Sequence, residues 1–294
     1  MAIVNQKPAY WLTVRDNFWN FLEAEDGAAR MYEADVYRSP VVKSIGITGT
    51  VAEGNIYASG IVYDYTRQVQ GAEIALDAVA LEQTLIDKAA GAIVDGGFVY
   101  NSSTDVGKEF AFGYYVEYKP QAGEDHGDYM YYWHPRCLLT QNDETAETST
   151  DSAVDPSRSF TIRALPTTEG IWRICYNTKD VQSPLTPEAF FAFARYTKNV
   201  QAVSVTLGST VKVGTACTAT VAYADNASPT TPTIAYSWWL ASSADGDFEQ
   251  IEGASTSSYT PAAGDEGKYL KCVAKVSGSA IGYVESAAAQ VAAS

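Results

Sequence analysis

Histidine and cysteine are scarce in this chain, two and four among 294 residues. That scarcity narrows the chemistry it can do. His134 and Cys137 stand three apart, but no second pair of such residues follows. A zinc site needs three or four ligands brought together. The cysteines, at 137, 175, 217 and 272, form no CxxC and are too few for a disulfide scaffold at this length. No apolar run approaches the roughly 18 residues of a bilayer-crossing helix. The start, Met1-Ala2-Ile3-Val4-Asn5-Gln6-Lys7, does not read as a signal peptide, so retention in a cytoplasm is expected. Basic residues are also few: 20 against 35 acidic, a net charge of −15. Such a chain does not grip nucleic acid by neutralising phosphates. Net negative charge keeps a protein soluble, and it equally suits a wall past which DNA must slide.

Catalytic motifs are missing as well. The sequence contains no HExxH, GxSxG or GxxxxGK[ST], and Gly107-Lys108 lacks the upstream glycine of a phosphate loop. A Ser/His/Asp triad would have to use His126, in a Gly/Asp/Glu loop, or His134, before Pro135. Both read as structural or exposed. The carboxylates lie in polar runs and read as solvated faces. No cofactor or metal is expected, and no enzyme.

What is present in quantity is tyrosine, 20 residues. Its apolar ring and wet hydroxyl suit half-buried pleated surfaces and subunit contacts. Strand-like runs occupy residues 8–15, 36–42, 44–51, 55–58, 61–67, 71–76, 129–133, 136–140, 160–165 and 171–176. Between 110 and 118, Phe110, Phe112, Tyr114, Val116 and Tyr118 alternate onto one face. One helix is predicted near 77–90. Asp77 stands as N-cap, Val79, Leu81, Leu85, Ile86 and Ala89 make an apolar stripe, and Gly91 ends it. A weaker helix candidate follows Pro187, at 188–196. Residues 16–35, charged and mixed, read as a long excursion or, around 18–24, a helical turn, and 141–156 as a polar, acidic loop. The first domain, 1–199, is thus expected to be mostly β with one packed helix (α+β).

From residue 200 Ser, Thr, Ala and Gly rise, and short strands recur with turn signals between them, the signature of a sandwich. Residues 201–294 hold 8 acidic and 4 basic side chains, which leaves a net −11 before them. Cys217 and Cys272 lie 55 residues apart on alternating strands, with Tyr236-Ser237-Trp238 between them. Asp265-Glu266-Gly267-Lys268-Tyr269 precedes the second cysteine. This pattern resembles the immunoglobulin-like modules of bacterial and phage surface proteins. The resemblance implies a β-sandwich over 200–294 with Trp238 in its core and Tyr269 near a corner, three residues before the cysteine rather than the usual two. Cys217 and Cys272 would face each other across that core, as a bridge or, as a reducing cytoplasm favours, as two thiols.

Ahead of it, the order Asn55-Ile56-Tyr57-Ala58, Gly71-Ala72-Glu73-Ile74-Ala75-Leu76-Asp77, Phe110-Ala111-Phe112-Gly113-Tyr114, Tyr131-Tyr132-Trp133 and Ser159-Phe160-Thr161-Ile162-Arg163 resembles the major tail proteins of siphophages. So does the acidic Thr-rich stretch at 144–151. The resemblance spans roughly residues 40–180. It implies a tail-tube β-sandwich or barrel that assembles into homo-hexameric rings stacked as a tube. Tape-measure, tail-terminator and distal tail proteins would be its other partners. DNA would pass through the lumen without specific binding, and the protein would reside in the virion after assembly in the host cytoplasm. Asp16 and Asp35 in one segment, and Glu144, Glu147 and Asp151 in the other, are then candidates for ring-stacking loops. A surface-binding protein is the alternative reading. There the immunoglobulin-like domain contacts host glycan through aromatics such as Tyr223, Trp239 and Tyr283.

Overall fold

The computed structural model describes residues 11–58, 61–95, 97–102, 104–119, 128–143, 158–179, 181, 183–208 and 210–294. The fold is mostly β, with one helix longer than a single turn among the described residues. Two compact units form: Met1–Leu22 with Tyr32–Tyr196, and Glu23–Met31 with Thr197–Ser294.

In chain order the first elements are β1 (Trp11–Asp26), β2 (Ala29–Tyr32), β3 (Tyr37–Ser39), β4 (Val42–Ala58), β5 (Ile61–Ala78) and α1 (Gln83–Ala90). They are followed by β6 (Ile93–Asp95), β7 (Phe98–Tyr100), β8 (Phe110–Tyr118), β9 (Tyr129–Asp143), β10 (Arg158–Ala164), β11 (Ile174–Asn177) and the single turn α2 (Pro187–Phe190). Nine strands form one sheet, ordered β2-β1-β8-β9-β10-β5-β4, with β3 on β1 and β11 on β9; β6 and β7 pair separately. Strands far apart in this order share one core. Trp19 and Phe21 of β1 join Phe112 and Val116 of β8, Phe160 and Ile162 of β10, and Ile74 and Leu76 of β5, while Ile45 and Ile47 of β4 pack against them. The sheet is therefore curled, and Leu85, Ile86 and Ala89 of α1 fill the same interior.

The tyrosines find their place on β8 and β9. Tyr114 lies opposite Tyr132 and Tyr115 opposite Tyr131, with ring centroids 4.8 and 5.8 Å apart. Cross-strand aromatic pairs of this kind are a main source of sheet stability. Tyr114 and Tyr132 face the first core. Tyr131, Trp133 and Ala111 face a second one, closed by Phe18, Phe190, Phe191 and Ala194. Both faces of β8 and β9 are thus covered.

Three expectations are corrected. Residues 16–35 are not a loop: most of them form β1 and β2. The centre of β1, Asn17 to Phe21, is buried on both faces, so it shows an unbroken run instead of alternation. Its asparagines find hydrogen-bond partners inside, although the Asn17 Nδ2 has none. Asn17 accepts from Trp19 Nε1 at 2.6 Å, and Asn20 donates to the carbonyls of Glu33 and Asp35, both at 2.9 Å. The helix begins at Gln83, not at Asp77, which lies in β5 and accepts from Ser44 and Ser159 on the flanking strands. Gly91 does end it, with a left-handed φ of 78°. After Pro187 only α2 is helical, capped by the Thr186 hydroxyl accepting from the Ala189 amide.

The second unit contains β12 (Val200–Leu207), β13 (Cys217–Tyr223), β14 (Pro232–Ala241), β15 (Glu249–Gln250), β16 (Ser258–Tyr259), β17 (Tyr269–Gly278), β18 (Ala280–Glu285) and β19 (Ala289–Gln290). β13 pairs with β12 and β16, while β17 pairs with β14 and β18. A two-residue parallel contact of β12 with β18 links the two sets. Their inner faces meet in a core of Trp238, Cys217, Cys272, Leu270, Ala219 and Val276, the layout of an immunoglobulin-like sandwich.

Candidate assembly surfaces

The hairpin of β4 and β5 has two unlike halves. From Ala72 to Ala78, β5 is flanked by β10 on one side and β4 on the other. Beyond Gly71 its described pairing is with β4 alone, from Val51 opposite Val69 to Ala58 opposite Ile61. This outer half is a two-stranded arm. It leaves the body at a register shift in which Thr50 pairs with Gly71 but Val51 pairs with Val69. Such a bulge bends the strands and increases their twist. The extra residue is accommodated because Gly71 adopts φ 134°. A Cβ there would collide with the Ala164 carbonyl.

Described side chains of the arm bond across its own two strands. Glu53 pairs with Arg67 at 3.5 Å, and the Thr66 hydroxyl donates to the Gly54 carbonyl at 3.2 Å. Tyr65 is 51% exposed and Val69 45%. Isolated two-stranded hairpins are marginal in water. The outer edge of β4 compounds this, because β4 stands last in its sheet. Over its 17 residues it carries no proline and only two charged side chains, Lys43 and Glu53. Monomeric proteins usually blunt such an edge with charge, proline or a covering element. The strands expected at 55–58 and 61–67 are the outer parts of β4 and β5.

Of the predicted site residues in the first unit, Asp16 and Asp35 belong to neither strand of the arm. Asp16 sits in β1 at a second bulge, with φ 29°, and accepts from Arg38 Nε at 2.8 Å. It is a buried anchor between strands, not a loop tip. Asp35 is exposed between β2 and β3. Glu144, Glu147 and Asp151 lie outside the described residues, as does His126. His134 is fully buried, with Nδ1 3.2 Å from the Trp172 carbonyl. Burial pushes its imidazole down to about 4, with the Trp172 carbonyl opposing and Arg173 adding to the shift. Glu33, which the sequence did not single out, lies 2.6 Å from Lys88 and 2.8 Å from Lys108. Burial alone would raise its carboxyl, but the two ammonium groups outweigh that and hold it below the usual range.

In the sandwich, Trp238 is fully buried, lies opposite Cys272 and donates to the Thr256 carbonyl at 2.9 Å. Cys217 and Cys272 are both buried free thiols. The corner hydrogen bond comes from Tyr259, whose hydroxyl donates to Asp265 at 3.0 Å, while Tyr269 lies in β17 between Ala241 and Gln290. Tyr223, Trp239 and Tyr283 are all half-buried. Among the described residues, no group of three or more His, Cys, Asp or Glu could hold a metal ion, and no helix is long and apolar enough to cross a membrane. No protein-family model matches the chain, and no curated protein matches it.

Proposed function

We propose that this chain is a non-catalytic structural subunit that assembles with copies of itself into the stacked rings of a phage tail tube. The observation that carries the reading is the arm: eight residue pairs of two-stranded β-ladder beyond a bulge, in a hairpin whose β4 stands last in its sheet. A neighbouring copy that pairs along β4 would satisfy the open edge and give the arm the third strand it lacks. Such an edge contact is heterologous, so repetition closes into a ring when the rotation permits. The resemblance of residues 40–180 to siphophage major tail proteins supplies the setting. The net −11 ahead of residue 201 fits a conduit that repels the DNA passing through it. Tape-measure, tail-terminator and distal tail proteins are the further partners of this reading, and the virion is its location. Negative-stain electron microscopy of the concentrated full chain is the test. Rings or tubes are expected; a monomer in light scattering at every concentration would count against assembly.

A further inference from the structure

A second contact between copies can be read from two surfaces of the first unit. The first is a knob. The hairpin of β6 and β7 forms a sheet of its own, with β7 following Gly97 at φ 86°. Its described apolar side chains are uncovered: Ile93 is 63% exposed, Phe98 67% and Tyr100 55%. Phe98 and Tyr100 stack with centroids 6.3 Å apart. An apolar cluster of this size on a small projection marks an interaction site. From Ile93 to Gly107 the charged residues of the sequence are both acidic, Asp95 in β6 and Asp105.

The second is a socket. The curled sheet leaves a seam where β1 approaches β4, because these strands are not neighbours in its hydrogen-bonded order. The seam opens into a half-open cavity of about 690 Å³. Trp11, Leu12, Ile45, Ile47, Tyr132 and Trp172 supply its apolar lining. Its charged lining residues are Lys43 and Arg173, both basic, with Arg173 lying over the Trp172 ring at 4.9 Å. The volume lies in the range, roughly 300–1,000 Å³, that encloses a drug-sized molecule. It therefore has room for a pair of aromatic side chains.

We infer that the β6–β7 knob of one copy inserts Phe98 and Tyr100 into the β1–β4 socket of another. Shape and charge both favour a second copy over a foreign ligand. The knob is aromatic and carries a carboxylate; the socket is aromatic and carries two cations. A knob and a complementary pocket at different places on one surface generate a head-to-tail contact. The inference rests on the reading of the chain as a self-assembling subunit, and it adds a contact separate from pairing along the arm.

The test replaces Phe98 with p-benzoylphenylalanine in the full chain, mixes isotopically light and heavy protein, irradiates, and maps the crosslinks by mass spectrometry. Crosslinks joining light to heavy chains at residues 11–14, 43–49 or 172–173 are expected. The double variant Phe98→Asp/Tyr100→Asp should keep the circular dichroism of the parent and lose at least tenfold in association. Crosslinks that map elsewhere, or unchanged association of the double variant, overturn the contact. The same samples are viewed by electron microscopy. Tubes without socket crosslinks overturn the knob and leave the tube reading standing. Socket crosslinks without rings or tubes keep the contact and remove the tube. Neither crosslinks nor assemblies removes both.

Discussion

Gly71 turns its backbone against the carbonyl of Ala164, and no side chain fits between them. The contact fixes the point at which the arm departs from the sheet. Gly71 also holds φ 134°, which L-residues rarely adopt. Gly71→Ala therefore meets both backbone strain and a clash. It is expected to cost ~2–3 kcal/mol, at the high end for single substitutions. Gly49→Ala on the neighbouring strand is the control, since a Cβ there meets nothing within 4 Å. Urea denaturation should show a clear fall in midpoint for Gly71→Ala and a change below ~1 kcal/mol for Gly49→Ala. Equal effects would mean that the bulge is not fixed by this approach.

His134 makes stability depend on pH. Its folded value, about 4, lies below the ordinary 6.5. Between those values the unfolded chain binds the proton that the folded chain refuses. Stability is then full above about pH 6.5 and falls as pH drops toward 4. The slope from this one group is at most about 1.4 kcal/mol per pH unit, or on the order of 3 kcal/mol across the window. His134→Phe should remove that slope while leaving the contributions of the carboxylates. Urea unfolding at pH 7.5, 6 and 5 measures it. Parallel pH profiles for the parent and the variant would show that the imidazole is not the source.

The thiols should divide by burial. Cys175 is exposed, whereas Cys137, Cys217 and Cys272 are buried. Burial pushes the Cys272 thiol up to about 12, with Cys217 nearby adding to the shift, so little thiolate forms at neutral pH. An aromatic disulfide reagent should titrate one thiol quickly in native protein and all four in denaturant. Two thiols in denaturant, without added reductant, would mean that Cys217 and Cys272 are bonded.

How far the fold could be read in advance depended on burial. β8 appeared with its correct ends because its aromatic residues alternate and its neighbours are small: Ala111 and Gly113 leave Phe110, Phe112 and Tyr114 to mark the face. β1 was read as a strand only as far as Arg15; from Asp16 on, burial on both faces abolished alternation and its buried asparagines looked like loop polarity. Asp77 imitated a helix cap, since a carboxylate bonded to serines on adjacent strands leaves the same local pattern as one before a helix. Cys217, Cys272 and Trp238 were legible because a sandwich core needs large inward residues at fixed places on three strands. The arm was legible as strands at 55–58 and 61–67, but not as the outer half of one long hairpin, because periodicity marks strands and not the register that joins them.

The arm separates folding from assembly. Among the residues whose side chains are described, neither core of the first unit includes one from 52–55 or 65–68. Replacing residues 52–68 with Asn-Gly would join Val51 to Val69, which already face each other, through a two-residue hairpin turn. The shortened chain should unfold within ~1 kcal/mol of the parent, because the lost hydrogen bonds are exposed and each contributes little net. It should nevertheless fail to form rings or tubes. In the parent, backbone amides in the arm should exchange rapidly in dilute monomer and become protected on assembly, whereas those of β8 stay protected throughout. Hydrogen-exchange mass spectrometry on both states reads this directly. Assembly by the shortened chain, or an arm that exchanges equally fast in the assembled form, would show that β4 is not the edge through which copies join.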